Sequence, residues 1–490
     1  MKLNYKRTIL VGFAFFLISA FWVAYDAIIP LALTNHFGLP QSVSGAVMSL
    51  DNVLAVFMLP IFGSLSDKIS TRYGKRTPFI FIGTIVAIVA FVGLTFIDNY
   101  QISMVAEAGI PELRAAAEAM LAEGKALGSA EMIAAAEQQL VNLEGEVLKI
   151  TTQNIGIVVG FIGVLLITLV AMATFRSPAV ALMPDVTIKP LRSKGNAIIN
   201  LMGTAAGIII LVFGVIFGTS KDPYMNYTGY VIAVCGVMAV ALVVFLFTVK
   251  ENKWVDEMLA DTKRFGLEED ENCDKSVGND LSKEKRKLTK EERTSLALIL
   301  VSVALWYIGY NSITSKYSVY ATNVLHFDYN LTLIIAQAAA VVAFIPVGML
   351  ASKIGRRRSI LIGVAVLTLS FFLATFITSS SNPVLMYAVF IAAGIGWATI
   401  NVNSFPMVVE LAKDGDVGKY TGYYYTASMS AQIVTPILSG MLVDAFGWKI
   451  FFPYAAVAVA LALVTMFFVK HGDSAPDKVD ALEALGGADD

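Results

Sequence analysis

The sequence predicts an all-α integral membrane protein, with twelve transmembrane helices in two pseudo-symmetric six-helix bundles. Three observations predict it. Of 490 residues, 57% are hydrophobic and 15% charged, and the mean hydropathy is +0.69. An ordinary soluble protein carries about a quarter charged residues. Twelve apolar stretches are each long enough to cross a bilayer as a helix, which takes about 20 residues. The chain also repeats itself: GSLSDKISTRYGKR (63–76) and GMLASKIGRRR (348–358) each follow the second apolar stretch of a half.

The spans run 8–34, 42–66, 78–97, 154–184, 194–218, 227–249, 294–323, 329–351, 359–379, 384–411, 418–443 and 449–469. The first is too long for a signal peptide and lacks a small-residue cleavage site. With the amino terminus cytoplasmic, 29 Lys and Arg residues face the cytoplasm and 5 the outside. That asymmetry predicts a multi-pass protein of the plasma membrane with both termini cytoplasmic. Residues 1–250 then form the first bundle, 251–293 a cytoplasmic linker, 294–470 the second bundle and 471–490 a cytoplasmic tail. The linker, dense in mixed charge, reads as a solvated tether.

Residues 98–151 interrupt the first bundle on the outer side. They are too polar to span, with 3 basic against 9 acidic residues. Pro111 suits a first helical turn and Ser129 an N-cap. Met132, Ile133, Ala136, Leu140, Leu143 and Val147 share one face, so the insertion reads as an amphipathic helical hairpin over the outer mouth. It is either ornament or lid.

A formal charge of −2 excludes the strongly basic balance of a nucleic-acid binder. Cys235 and Cys273 alone make no disulfide framework. His36, His326 and His471 fall at segment ends, which predicts neither a histidine metal site nor a buried histidine relay. Without a nucleotide loop or a nucleophile–histidine pair, the chain reads as no enzyme and needs no cofactor. A monomer in the lipid bilayer is expected.

Two six-helix repeats joined by a loop are a transporter architecture, with the site near the midplane where the repeats meet. An acid precedes a lysine by nine residues at the end of each half's fourth span, Asp185 to Lys194 and Glu410 to Lys419. These residues bring a family into view. G-x-L-x-D-K/R followed by G-R/K-R resembles the loop signature of the major facilitator superfamily, and this resemblance covers nearly the whole chain. DKISTRYGKRTPFI (67–80), longer by S-T-R, resembles the sucrose/proton-associated carriers and the glycoside–pentoside–hexuronide:cation symporters. So does RSPAVALMPDV (176–186) followed by RSKGNAI (192–198).

The resemblance implies the major facilitator fold and proton-coupled symport of a glycoside, disaccharide or small oligosaccharide. Sodium-coupled melibiose-type members carry acids just before the proline of P-x-x-G in span two. Here Phe57, Met58 and Leu59 precede Pro60, so the resemblance favours protons. Sodium-coupled sugar symport, efflux and carriage of another solute are the alternatives. The resemblance also implies a cytoplasmic gate of Asp67, Arg72, Lys75, Arg76 and Asp185, with Glu410 in the second half. Such a gate ties helices together while the carrier faces outward. Ser352 replaces the aspartate in the second repeat.

A charge inside a bilayer costs a few kcal/mol, so each one points to function. Four lie well inside the spans: Asp26, Asp51, Arg176 and Lys316. Asp26 and Asp51 flank the outer turn at equal distance along antiparallel spans, about 18 Å from it at 1.5 Å per residue. Arg176 approaches the same depth. Two carboxylates beside one guanidinium suit proton coupling, or else form a static network holding helices together. Asp26 is the first choice as titrating group, because Trp22, Tyr25 and Ile29 share its helical face. Lys316 reads as snorkelling or ion-paired.

Sugars need hydrogen-bonding groups around their hydroxyls and an aromatic platform for their CH faces. Trp22 and Tyr25 offer this in the first half. In the second, span seven offers Tyr307, Tyr310, Asn311, Thr314 and Tyr317; span ten offers Trp397, Asn401 and Ser404; span eleven offers Tyr424, Ser428 and Gln432. Such residues also join membrane helices to one another. Gly203–Gly207 and Gly214–Gly218 read as close packing.

Overall fold

The computed structural model describes residues 3–265, 289–411 and 417–471. Within them the regular elements are helices. Residues 266–288 of the linker, with Cys273, and residues 472–490 of the tail lie outside the described residues. Among the described residues, eleven helices are long and apolar enough to cross a membrane, and the shorter apolar stretch Tyr329–Phe344 makes the twelfth.

The first bundle consists of α1 (Tyr5–Leu31), α2 (Gln41–Met48) continued by α3 (Leu50–Lys68), α4 (Thr77–Glu107), α7 (Ile155–Asp185), α8 (Arg192–Phe217) and α9 (Thr228–Thr248). Between α4 and α7 stand α5 (Ile110–Leu127) and α6 (Ala130–Gln153). Helix α10 (Glu251–Arg264) follows the first bundle. The second bundle consists of α11 (Lys290–Thr314) continued by α12 (Tyr317–Tyr320), α13 (Tyr329–Ile354), α14 (Arg356–Ala374), α15 (Pro383–Glu410), α16 (Val417–Phe446) and α17 (Phe451–Phe467). Tyr5, α10 and Val469 mark one face, the terminal face. Helices α5 and α6 mark the other, the insertion face.

Helix α1 is central because it is apolar nearly all round. Val11, Ala14, Leu17, Phe21, Ala24 and Leu31, spaced three, four or seven apart, are fully buried. Water supplies no drive between helices in lipid, so close backbone approach and polar contacts must do so. Gly203 lets α8 reach α1: a Cβ there would lie 2.7 Å from Ser19 Oγ. Gly214 faces the second bundle instead, against Asn330 of α13, and Gly207 lies close to both Val23 of α1 and Gln337 of α13. Gly218 is no packing residue. Its φ of +70° ends α8 in the left-handed conformation that suits glycine.

Several elements differ from the expected spans. Helix α4 continues past residue 97 to Glu107, carrying Asp98 into the bundle. The first helix of each half ends in a π-helical turn, Ala32–His36 and Ala321–Leu325, a feature frequent at functional sites. The linker also begins as a helix rather than a tether. Glu251, Trp254, Val255, Met258 and Thr262 are its shielded residues, recurring three and four apart, so α10 is amphipathic and packs on the terminal face.

In the insertion, Ser129 Oγ accepts the Met132 amide, and Ala136, Leu143 and Val147 of α6 are buried. The hairpin docks on the turn after α1. Gly38, at φ +62°, lies against α6 so closely that a Cβ would come within 2.8 Å of the Leu148 nitrogen. Arg114, stacked over the Tyr224 ring at 5.7 Å and paired with Glu118 at 2.9 Å, secures α5 to the chain before α9.

Candidate functional site

The central charges come from three helices of the first bundle. Asp26 is exposed although its neighbours Tyr25 and Ala27 are buried, so its carboxylate opens into a crevice within the bundle. Asp51 lies in the first turn of α3, created by the break at Ser49, where a helix N-terminus favours negative charge. It accepts from Asn52 Nδ2 at 2.8 Å. Asp26 and Asp51 lie near enough to interact through their charges, as do Asp51 and Arg176. Arg176 Cζ stands 5.6 Å from the centre of the Trp22 ring. The structure therefore gathers Trp22, Asp26, Asp51 and Arg176 at one place.

Tyr25 is fully buried, with Phe21 stacked at 5.8 Å and Trp22 edge-on at 5.4 Å. Trp22 Nε1, Tyr25 Oη and Asn311 Nδ2 are buried without a hydrogen-bond partner in the protein. Buried polar groups are nearly always paired, so the unpaired donors of the adjacent Trp22 and Tyr25, and that of Asn311 in the second bundle, require explanation.

In the second bundle, the Tyr310 ring stacks on Trp397 at 3.6 Å and 2°, and Tyr307 meets Trp397 edge-on at 5.3 Å. These rings make one wall. Asn311, Asn401 and Gln432 are half-buried and Thr314 is exposed. Tyr424 is buried, its hydroxyl 2.9 Å from Ser404 Oγ, which joins α16 to α15. Tyr317 packs in the core against Phe390, with ring centres 4.4 Å apart.

At the terminal face Arg76 is the hub of the residues expected at a gate. Its guanidinium donates to Asp185 Oδ2 at 2.8 Å, to Asp67 and to Ser66. Burial alone would lower its pKa; the two carboxylates outweigh burial and raise it. All three partners belong to the first bundle. Arg356 and Glu410 repeat the pairing within the second bundle at 2.8 Å. Arg72 stacks over its neighbour Tyr73, and Lys75 joins the cluster through its backbone amide.

Two residues that sequence reasoning missed complete this picture. Glu251 is buried at the start of α10 and accepts from the amides of Lys75, Arg76 and Thr77. At the insertion face, His36 Nδ1 lies 2.7 Å from Asp98 Oδ1, both side chains buried. Tyr227 stacks on the imidazole at 5.3 Å, and Gln101 donates to the His36 carbonyl. This counts against the expectation that no buried histidine relay is available, since His36 is buried and paired: a segment end is not an exposed position when α4 runs on and the insertion covers it.

The family model described as Major Facilitator Superfamily matches residues 150–412 and 329–485. A second, described as MFS/sugar transport protein, matches residues 10–109. Among solved structures, the inward open conformation of the xylose transporter XylE from E. coli has 14% identity and a TM-score of 0.61, covering 98% of this chain and 99% of that one. A D-xylose-proton symporter has 15% identity and a TM-score of 0.61, covering 96% and 99%. A point mutant of the nucleoside transporter NupG has 14% identity and a TM-score of 0.55, covering 94% and 100%. At these identities the likeness is one of fold. Uncharacterized protein YqgE of Bacillus subtilis (strain 168) is 29% identical over 154 residues, 30% of this chain. The chain thus spans 34% of that relative's length.

Proposed function

The chain belongs to the major facilitator superfamily and is a membrane transporter rather than an enzyme, and we propose that it carries a glycoside, disaccharide or small oligosaccharide by proton-coupled symport. One observation carries this reading: acids and an arginine meet beside aromatic rings whose buried donors have no protein partner. Trp22 Nε1, Tyr25 Oη and Asn311 Nδ2 suit sugar hydroxyls, and the Tyr307–Tyr310–Trp397 wall suits a sugar's CH face. The half-buried Asn401 and Gln432 and the exposed Thr314 line the same second-half stripes.

Asp26 takes the proton, Asp51 interacts with it, and Arg176 neutralises Asp51. The excess of Lys and Arg on the terminal side supports a cytoplasmic terminal face. The insertion face, where the halves are packed together, then lies outside, and Asp26 meets water from the cytoplasm. This is an inward-facing state of an alternating-access carrier.

The test is uptake of a panel of radiolabelled glycosides into vesicles. Uptake that rises with an inward proton gradient, without sodium, supports the reading. Gradient-driven export of the same compounds supports efflux, and a sodium requirement supports the sodium-coupled alternative.

A further inference from the structure

At the insertion face the two halves are joined at the N-terminus of α2. Asp444, at the end of α16, accepts the amides of Gln41 and Ser42, each at 2.8 Å. These are first-turn N–H groups with no partner inside their own helix, so a carboxylate of one half caps a helix of the other. The two helices cross almost in contact. A Cβ on Gly45 would strike the Pro436 carbonyl, and one on Gly440 the Gln41 carbonyl. Lys316 enters at the same turn, donating from Nζ to the Gln41 carbonyl at 2.8 Å.

The two charges stand in unlike surroundings. Asp444 is exposed, keeps water on one side and gains two donors when the halves meet. Lys316 is buried, only 1% exposed, and exchanges hydration for one neutral carbonyl, with Asp444 as its nearby opposite charge. Removing an ammonium from water is costly unless it is closely paired, and a neutral carbonyl repays less of that cost than a buried carboxylate would.

We infer that the α2 N-terminus is the closing latch of the insertion face, held shut by Asp444 and opposed by the buried Lys316. The pair then sets the balance between the two states of the carrier with opposite signs. Charge on Asp444 favours closure and charge on Lys316 favours opening. The inference rests on the alternating-access reading, but not on any particular substrate or coupling ion.

The test places nitroxide labels at Lys221→Cys and Val384→Cys, both exposed and one in each half, in the full chain carrying Cys235→Ala and Cys273→Ser. Electron–electron distances are read in lipid nanodiscs without substrate, so failure of the sugar or proton assignment leaves the measurement intact. Asp444→Asn should raise the ratio of separated to closed labels about three- to tenfold. Lys316→Met should lower that ratio. An unchanged distribution in Asp444→Asn overturns the latch, and opening in Lys316→Met overturns the opposed sign. If Asp444→Asn does not fold, Lys316→Met alone decides, because a merely structural lysine predicts opening on its removal.

Discussion

Glu251 caps Thr77 from 174 residues away: its Oε2 accepts the Thr77 amide at 2.9 Å and the Thr77 hydroxyl at 2.7 Å. The other oxygen takes the amides of Lys75 and Arg76, at 2.6 and 2.8 Å. One carboxylate thus closes the start of α4 and fixes the loop that carries Arg76. Asn252 and Arg7 extend the clasp, the first donating to the Thr71 and Arg72 carbonyls, the second to Trp254 and Glu257.

Removing this cap should therefore loosen the terminal face. Glu251→Ala leaves several first-turn amides without an acceptor, a loss of about 1–3 kcal/mol. We expect a lower thermal midpoint in detergent and slower transport. Glu251→Gln, which keeps an acceptor without the charge, should fall between. A Glu251→Ala protein as stable and active as wild type would return α10 to the role of a passive tether.

Within the Arg76 cluster the two carboxylates should not be equivalent. Asp67 is 62% exposed and Asp185 34%. Exposed ion pairs contribute about 0.2–1 kcal/mol, so Asp67→Asn should slow uptake by no more than about fivefold. Asp185→Asn should slow it more. Both partners belong to the first bundle, so neither change alone should separate the halves. Initial uptake rates of the two variants, measured at equal expression, give the order.

Much of the fold is legible in the sequence because it is local. Span lengths, the Ser129 cap and the buried stripe of α6 each follow from residues within a few turns of one another. The central site is partly legible for a related reason: a charge in an apolar span is conspicuous wherever it stands. Glu251, the His36–Asp98 pair and Asp444 were hidden because each meets its partner across a long stretch of chain. Glu251 sits in a run of mixed charge that masks the Trp254–Val255–Met258 stripe. Asp98 looks like the start of a polar insertion, since nothing in its own vicinity shows that α4 continues ten residues beyond the apolar run. Gly45 and Gly440 carry no sign in sequence that each faces the other half.

Arg176 should not tolerate a conservative exchange. Its planar guanidinium lies over Trp22 and interacts with Asp51, and a lysine keeps only the charge. Arg176→Lys should lose at least about tenfold in uptake, which the loss of one stacked or bidentate interaction suffices to produce. Uptake at the wild-type rate would reduce Arg176 to charge balance.

The central claim, that Asp26 carries the coupling proton, is tested most directly by Asp26→Asn in proteoliposomes loaded with a transported glycoside. Equilibrium exchange across the membrane and accumulation driven by a proton gradient are measured on the same preparation. The account predicts that exchange persists while accumulation against a concentration gradient is lost. Accumulation by Asp26→Asn equal to that of the wild type would contradict it and move the proton to Asp51.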